Sequence, residues 1–126
     1  MAELQSRDDP ASGPTGAAWP GAGAIAHGVK SGTLSAAAVT AQALHRIATL
    51  DGGLNAFLAV SGTAEAEAAA IDAQQDKSGT LCGVPVAIKD LTDTAGLVTT
   101  YGSAAFRDHV PSVDDLVVAR LRAAGA

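Results

Sequence analysis

The sequence predicts an α/β chain, in which helices accompany one or two short strands of an incomplete sheet. Three observations carry this expectation. Apolar residues recur at helical spacing between Ser35 and Leu50 and again after Ser112. They alternate with period two from Gly83 to Asp90. Only 27 of the 126 residues are Leu, Ile, Val or Phe, close to the level below which globular folding becomes doubtful. Much of the remaining apolar content is alanine, which buries little area. Such a thin core is also what a piece of a larger α/β protein looks like.

Bulk properties exclude several function classes. The net charge is −5 and no basic cluster is present, so neither nucleic acid nor an anionic membrane surface is an expected partner. The single cysteine, Cys82, rules out an internal disulfide framework. The N-terminus has neither a positive n-region nor an apolar h-region, and no apolar run is long enough to cross a bilayer. The expectation is a soluble cytoplasmic chain.

Residues 1–24 mix Asp8, Asp9, Pro10, Gly13, Pro14, Pro20 and Gly21 without any period. They read as a disordered leader ahead of one unit at 25–126, with Trp19 docking loosely on that unit. The first ordered element starts near Ser35. Ser35 is the N-cap, and Leu34 and Val39 form a hydrophobic staple across it. Val39, Ala43, Ile47 and Leu50 share one helical face, and Asp51-Gly52-Gly53 ends the helix. Leu54 to Val60 is loop-like or extended. A second helix runs from Thr63, its cap, to Lys77. Glu65 and Glu67 complement its positive end, and Ser78-Gly79 closes it. Val84, Val86 and Ile88 then alternate with Pro85, Ala87 and Lys89, which reads as a strand with Pro85 near its start or on an edge. Residues 91–111 are irregular. A last helix begins after Ser112, which pairs with Asp115 in a capping-box-like arrangement.

The residue with chemical potential is Lys89. A lysine leaving an apolar strand can be partly desolvated, which favours the neutral amine and hence a base or nucleophile. The alternative is a lysine at a strand end that reaches to water or pairs with Asp90 or Asp93. The residues taken alone favour this structural reading. No metal site is expected, since His27, His45 and His109 share no ligand spacing with one another or with Cys82. No cofactor is expected either, because the glycines form no phosphate loop.

An ordered set of segments shifts that balance. Gly83-Val84-Pro85-Val86-Ala87-Ile88-Lys89-Asp90, then Thr99-Thr100-Tyr101-Gly102-Ser103, then Val113-Asp114-Asp115 through Arg120-Leu121-Arg122-Ala123-Ala124-Gly125-Ala126 follow one another at consistent spacing. Leu54-Asn55-Ala56-Phe57 precedes them. Together these segments resemble the N-terminal portion of the amidase signature family, from about residue 28 onward. The resemblance implies an α/β/α layered fold and cleavage of carboxamide C–N bonds by a serine–serine–lysine triad, the bridging serine held by a cis peptide. It implies that Lys89 is the catalytic lysine, first base and then acid. Cys82 stands where the family often has histidine, and Leu91 where many members have asparagine.

The same resemblance places both triad serines and the oxyanion donors in a Gly/Ser-rich stretch downstream. No such stretch occurs in residues 1–126. Ser103 matches a position that is not the family's nucleophile. The expectation is therefore a truncated amidase part, inactive alone, whose partners are a small-molecule amide once completed and a chain carrying the serine half. A non-catalytic remnant or docking module, or part of the glutaminase-type component of a tRNA-dependent amidotransferase, stand as alternatives.

Overall fold

Small side chains set this architecture, because alanine and glycine at the helix contacts let backbones approach closely. The computed structural model describes residues 19–126. Its helices are α1 (Ala22–Ser31), α2 (Ala36–Leu54), α3 (Ala64–Ala73) and α4 (Leu116–Ala123), with a 3-10 turn at Ala104–Phe106. The core joins Ile25, Ala26 and Val29 of α1 to Ala36 and Val39 of α2, Ala68 of α3, and Cys82 and Val84 of the following segment.

Helix α1 corrects the expectation that order begins near Ser35. Its apolar residues Ile25, Ala26 and Val29 fall on one face and are buried. Gly28 permits this packing, since a Cβ there would lie 2.6 Å from Leu34 Cδ1. Gly32 ends the helix at φ 75°, its amide donating to the Val29 carbonyl. The leader assigned to 1–24 thus falls mostly outside the described residues, and 22–24 belong to α1. Trp19 packs against the core, with the Arg46 guanidinium 5.5 Å from its ring centre.

Helix α2 begins as expected, with the Ser35 side chain accepting from the Ala38 amide. It does not stop at Gly52-Gly53. Glycine tolerates helical dihedrals, and the left-handed closing position is taken by Asn55 at φ 51°. The Asp51 carboxylate then accepts from the amides of Ala56 (2.7 Å) and Phe57 (3.3 Å), covering the exit.

Helix α3 is shorter than Thr63–Lys77. Thr63 makes no capping bond; its hydroxyl donates to Glu67 Oε1 at 2.6 Å instead. The helix ends after Ala73, where Gln74 is extended at φ −68° and ψ 138°, and the chain runs on to Gly79, which lies against Ala124 just after α4. A Cβ on Gly79 would collide with the Ala124 carbonyl oxygen.

The strand expected at Gly83–Asp90 does not form. Among the described residues no strand is present, and residues 85–88 make no backbone–backbone hydrogen bond. A strand requires a neighbour to complete its ladder, and alternation alone supplies none. Val84 is buried, whereas Val86 is 44% exposed. Helix α4 is capped by Asp115, whose carboxylate accepts from Val117, and not by Ser112. The reason is that the Asp115 amide is tied to the Asp93 carbonyl at 2.9 Å, which sets the helix entrance there. No helix among the described residues is long and apolar enough to cross a membrane.

Candidate functional site

Lys89 lies at the end of the segment that leaves the core at Val84, and it is exposed. Its carbonyl accepts from the amides of Leu91 (2.7 Å) and Thr92 (3.0 Å), so the chain turns sharply just after it. The expected pairing with Asp90 or Asp93 is not made.

Both carboxylates are engaged elsewhere. Asp90 accepts from the Thr100 amide at 2.6 Å, from the Thr100 hydroxyl, and from the Gly102 amide at 3.1 Å. Asp93 accepts from the Tyr101 hydroxyl. The segment after Lys89 is thereby laced to Thr99-Thr100-Tyr101-Gly102-Ser103, two of the stretches singled out in the sequence. The Thr100 hydroxyl and amide, with the Gly102 amide, hold the Asp90 carboxyl below its ordinary value against the opposing effect of burial. The hydrogen bond to Asp93 raises the Tyr101 phenol, and burial and the charges of Asp93 and Asp90 act in the same direction.

The receiving loop is itself anchored. Thr99 is buried and its amide donates to the His109 carbonyl at 3.0 Å; the Gly96 amide donates to the Pro111 carbonyl at 3.0 Å. Tyr101 packs edge-on to Phe106 with ring centres 5.3 Å apart, and lies 5.7 Å from the His109 ring. Below the loop, Asp114 accepts from the Ala95 amide (2.7 Å) and pairs with Arg122 (3.0 Å), which also reaches Glu67 of α3 (3.2 Å).

The remaining candidates have structural positions. The Ser103 side chain caps the 3-10 turn by accepting from Ala105. Cys82 is buried in the core. Among the described residues no group of three His, Cys, Asp or Glu side chains could hold a metal ion. The sequence reads Asp90 as a residue that positions backbone or pairs locally, but it identifies neither its partners Thr100 and Gly102 nor the Asp93–Tyr101 bond. The ten-residue separation of Asp90 from Thr100 gives no local signal, and Tyr101 at φ 53° occupies a conformation that favours glycine.

A family model described as Amidase matches residues 38–126. The chain belongs to the amidase family. This amidase-family chain is 44% identical over 103 residues to the A component of the glutamyl-tRNA(Gln) amidotransferase from Anaeromyxobacter sp., covering 79% of this chain and 21% of that protein. It is 46% identical over 118 residues to a Mycobacterium tuberculosis protein named as amidase AmiB2, covering 90% of this chain and 25% of the relative. A solved structure described as a vestigial protein complex, revealing the evolutionary origins of an s-triazine catabolic enzyme, matches with a TM-score of 0.74 and 39% identity, over 81% of this chain and 23% of that one. The chain therefore spans about a fifth to a quarter of the length of the relatives it matches. The lysine segment, the Thr-Thr-Tyr-Gly-Ser loop and α4 all lie inside the matched amidase region.

Proposed function

We propose that this chain is the lysine-bearing N-terminal part of a carboxamide hydrolase of the serine–cis-serine–lysine kind, acting in the cytoplasm, with Lys89 as its acid–base group. The observation that carries the reading is an exposed Lys89 at a turn held to the anchored Thr100–Gly102 loop, inside the matched region. In this reading the Lys89 side-chain nitrogen accepts, through a bridging serine, the proton of a nucleophilic serine as its oxygen attacks the amide carbon. The resulting ammonium returns that proton to the departing nitrogen as the C–N bond breaks. Water then cleaves the acyl ester.

Residues 1–126 hold no Gly-Ser-Ser-Gly-like stretch. Nucleophile, bridge and oxyanion donors must come from a further segment or a separate chain, which would also supply the strands that complete an α/β/α sheet around Gly83–Asp90. Loss of a single oxyanion donor costs on the order of a hundredfold in rate, so the 126-residue chain alone has no amidase activity. The test joins residues 1–126 to the remaining part of an AmiB2-type relative and assays a simple amide. Hydrolysis by the joined protein, lost in Lys89→Ala and absent from the chain alone, is the expected outcome. Full activity of Lys89→Ala in the joined protein, or Lys89-dependent hydrolysis by the chain alone, refutes the reading.

The 44% identity to a component of a glutamyl-tRNA(Gln) amidotransferase supports a second reading, in which glutamine is the amide and ammonia passes to a partner protein. Glutaminase activity that emerges only with such a partner would favour it over a stand-alone amidase.

A further inference from the structure

We propose that Asp90 is a positioning residue for Lys89, its carboxylate binding the turn that carries the lysine to the anchored loop at Thr100–Gly102. The proposal rests on Lys89 being the acid–base group. A lysine side chain has four rotatable bonds, so the placement of its nitrogen depends first on a fixed point of departure from the backbone. Here that point is held from both sides. The Lys89 carbonyl accepts from Leu91 and Thr92, and the very next residue is clamped by three donors on the loop.

The loop is shaped for this carboxylate. The Thr100 amide donates to one oxygen of the carboxylate and the Gly102 amide to the other, on either side of Tyr101. Tyr101 has φ 53° and Gly102 has φ 70°. A tyrosine in that region is strained, and the surroundings must over-determine it. The Thr100 hydroxyl adds to the arrangement, donating to Asp90 and accepting from the Gly102 amide at 3.2 Å. The bonds of Thr99 to His109 and of Gly96 to Pro111 keep the loop from following the turn. None of the donors that Asp90 gathers is Lys89, so the carboxylate acts on the backbone that presents the lysine and leaves the amine without a salt-bridge partner among the described residues.

The experiment uses the joined amidase described above. Asp90→Ala is expected to lower kcat about a hundredfold while KM stays within about twofold, as misplacement of a catalytic group does. Asp90→Asn, which keeps one acceptor oxygen for the Thr100 amide, is expected to recover about tenfold of that loss. Asp72→Asn serves as control: that carboxylate also gathers backbone amides, but on α2, and its loss lowers stability without changing kcat. Unchanged kcat in Asp90→Ala beside an inactive Lys89→Ala overturns the positioning role and leaves the catalytic lysine intact. An active Lys89→Ala instead removes the reading beneath it. In the 126-residue chain, amide exchange at Leu91 and Thr92 is expected to accelerate at least about tenfold in Asp90→Ala relative to amides of α2; unchanged protection there also overturns the proposal.

Discussion

The amide of Gly83 donates to the carbonyl of Gly125 at 2.8 Å, and that of Leu81 donates to Ala124 at 2.8 Å. These two bonds stitch the turn after α4 to the foot of the segment that carries Lys89. The close approach depends on glycine on both sides. Gly125 has φ 92°, and a Cβ there would lie 3.1 Å from Cys82 Cα. Gly83 has φ 71°, and its Cβ would meet Ala36 Cβ at 2.8 Å and Val29 side-chain atoms at 3.0 Å.

Gly83→Ala and Gly125→Ala therefore combine a left-handed backbone with a steric conflict. Each is expected to destabilise the fold by about 1–3 kcal/mol. Gly52→Ala, where a Cβ meets nothing and the backbone is helical, is expected to be neutral or stabilising. Urea unfolding followed by circular dichroism ranks the three; equal midpoints for all of them would contradict the stitch.

Asp72 reaches from α3 to the start of α2, accepting from the Ser35 hydroxyl (2.7 Å) and the amides of Ala36 (2.7 Å) and Ala37 (3.0 Å). Burial pushes its carboxyl up, but those bonds and the charge of Lys77 outweigh it, and the net direction is down from 3.8. A carboxyl lowered in the fold adds stability that is present above its ordinary value and lost as pH falls through the folded one. Asp72→Asn is expected to flatten the acid limb of the stability–pH curve below about pH 4, and Asp72→Ala to cost about 1 kcal/mol at neutral pH. An acid limb identical to that of the parent chain would dismiss the contact.

Tyr101 is the chain's one tyrosine, so its titration can be followed by absorbance without ambiguity. The hydrogen bond to Asp93 raises the phenol above 10.0. The neutral phenol's contribution is then present below its unfolded value and lost as pH rises through the folded one. A midpoint above 10.0 that falls in Asp93→Ala is expected; an unshifted midpoint in both proteins would contradict the Asp93–Tyr101 bond.

Trp19 is likewise the one tryptophan, packed on the core with Arg46 over its ring. Its emission on unfolding is expected to shift to the red in a transition coincident with loss of helix. Arg46→Ala is expected to red-shift the native emission slightly, at a cost of about 0.5–1 kcal/mol. An emission already that of a fully hydrated indole in the native chain would show that Trp19 does not dock.

Local signals locate Ser35 as a cap, the three helices at α2, α3 and α4, and the turn region between Leu91 and Pro111. They misjudge ends. Gly52-Gly53 looks like a stop, yet Asn55 two residues on takes the left-handed position and Asp51 covers the exit. Ser112 looks like a cap, yet the bond from Asp115 to Asp93 moves the entrance three residues along. Each error has one cause: the deciding partner lies elsewhere in the chain or beyond the usual cap position. Helix α1 escapes such signals because Gly21, Gly23, Gly28 and Gly32 mask its short apolar face, while Gly28 in fact makes room for Leu34.

Residue identities and their spacing suffice for the family, because ordered motifs persist whatever their surroundings. Packing in three dimensions was needed to turn Asp90 away from Lys89 to Thr100 and Gly102, to engage Asp93 with Tyr101, and to close Gly83 on Gly125. Those relations span eight to more than forty residues. A hydrogen bond across such a distance is set by where packing brings two backbones together, and neither period nor propensity records that. The unformed strand at Val84–Ile88 follows from the same physics, since a ladder exists only when a second backbone lies beside the first.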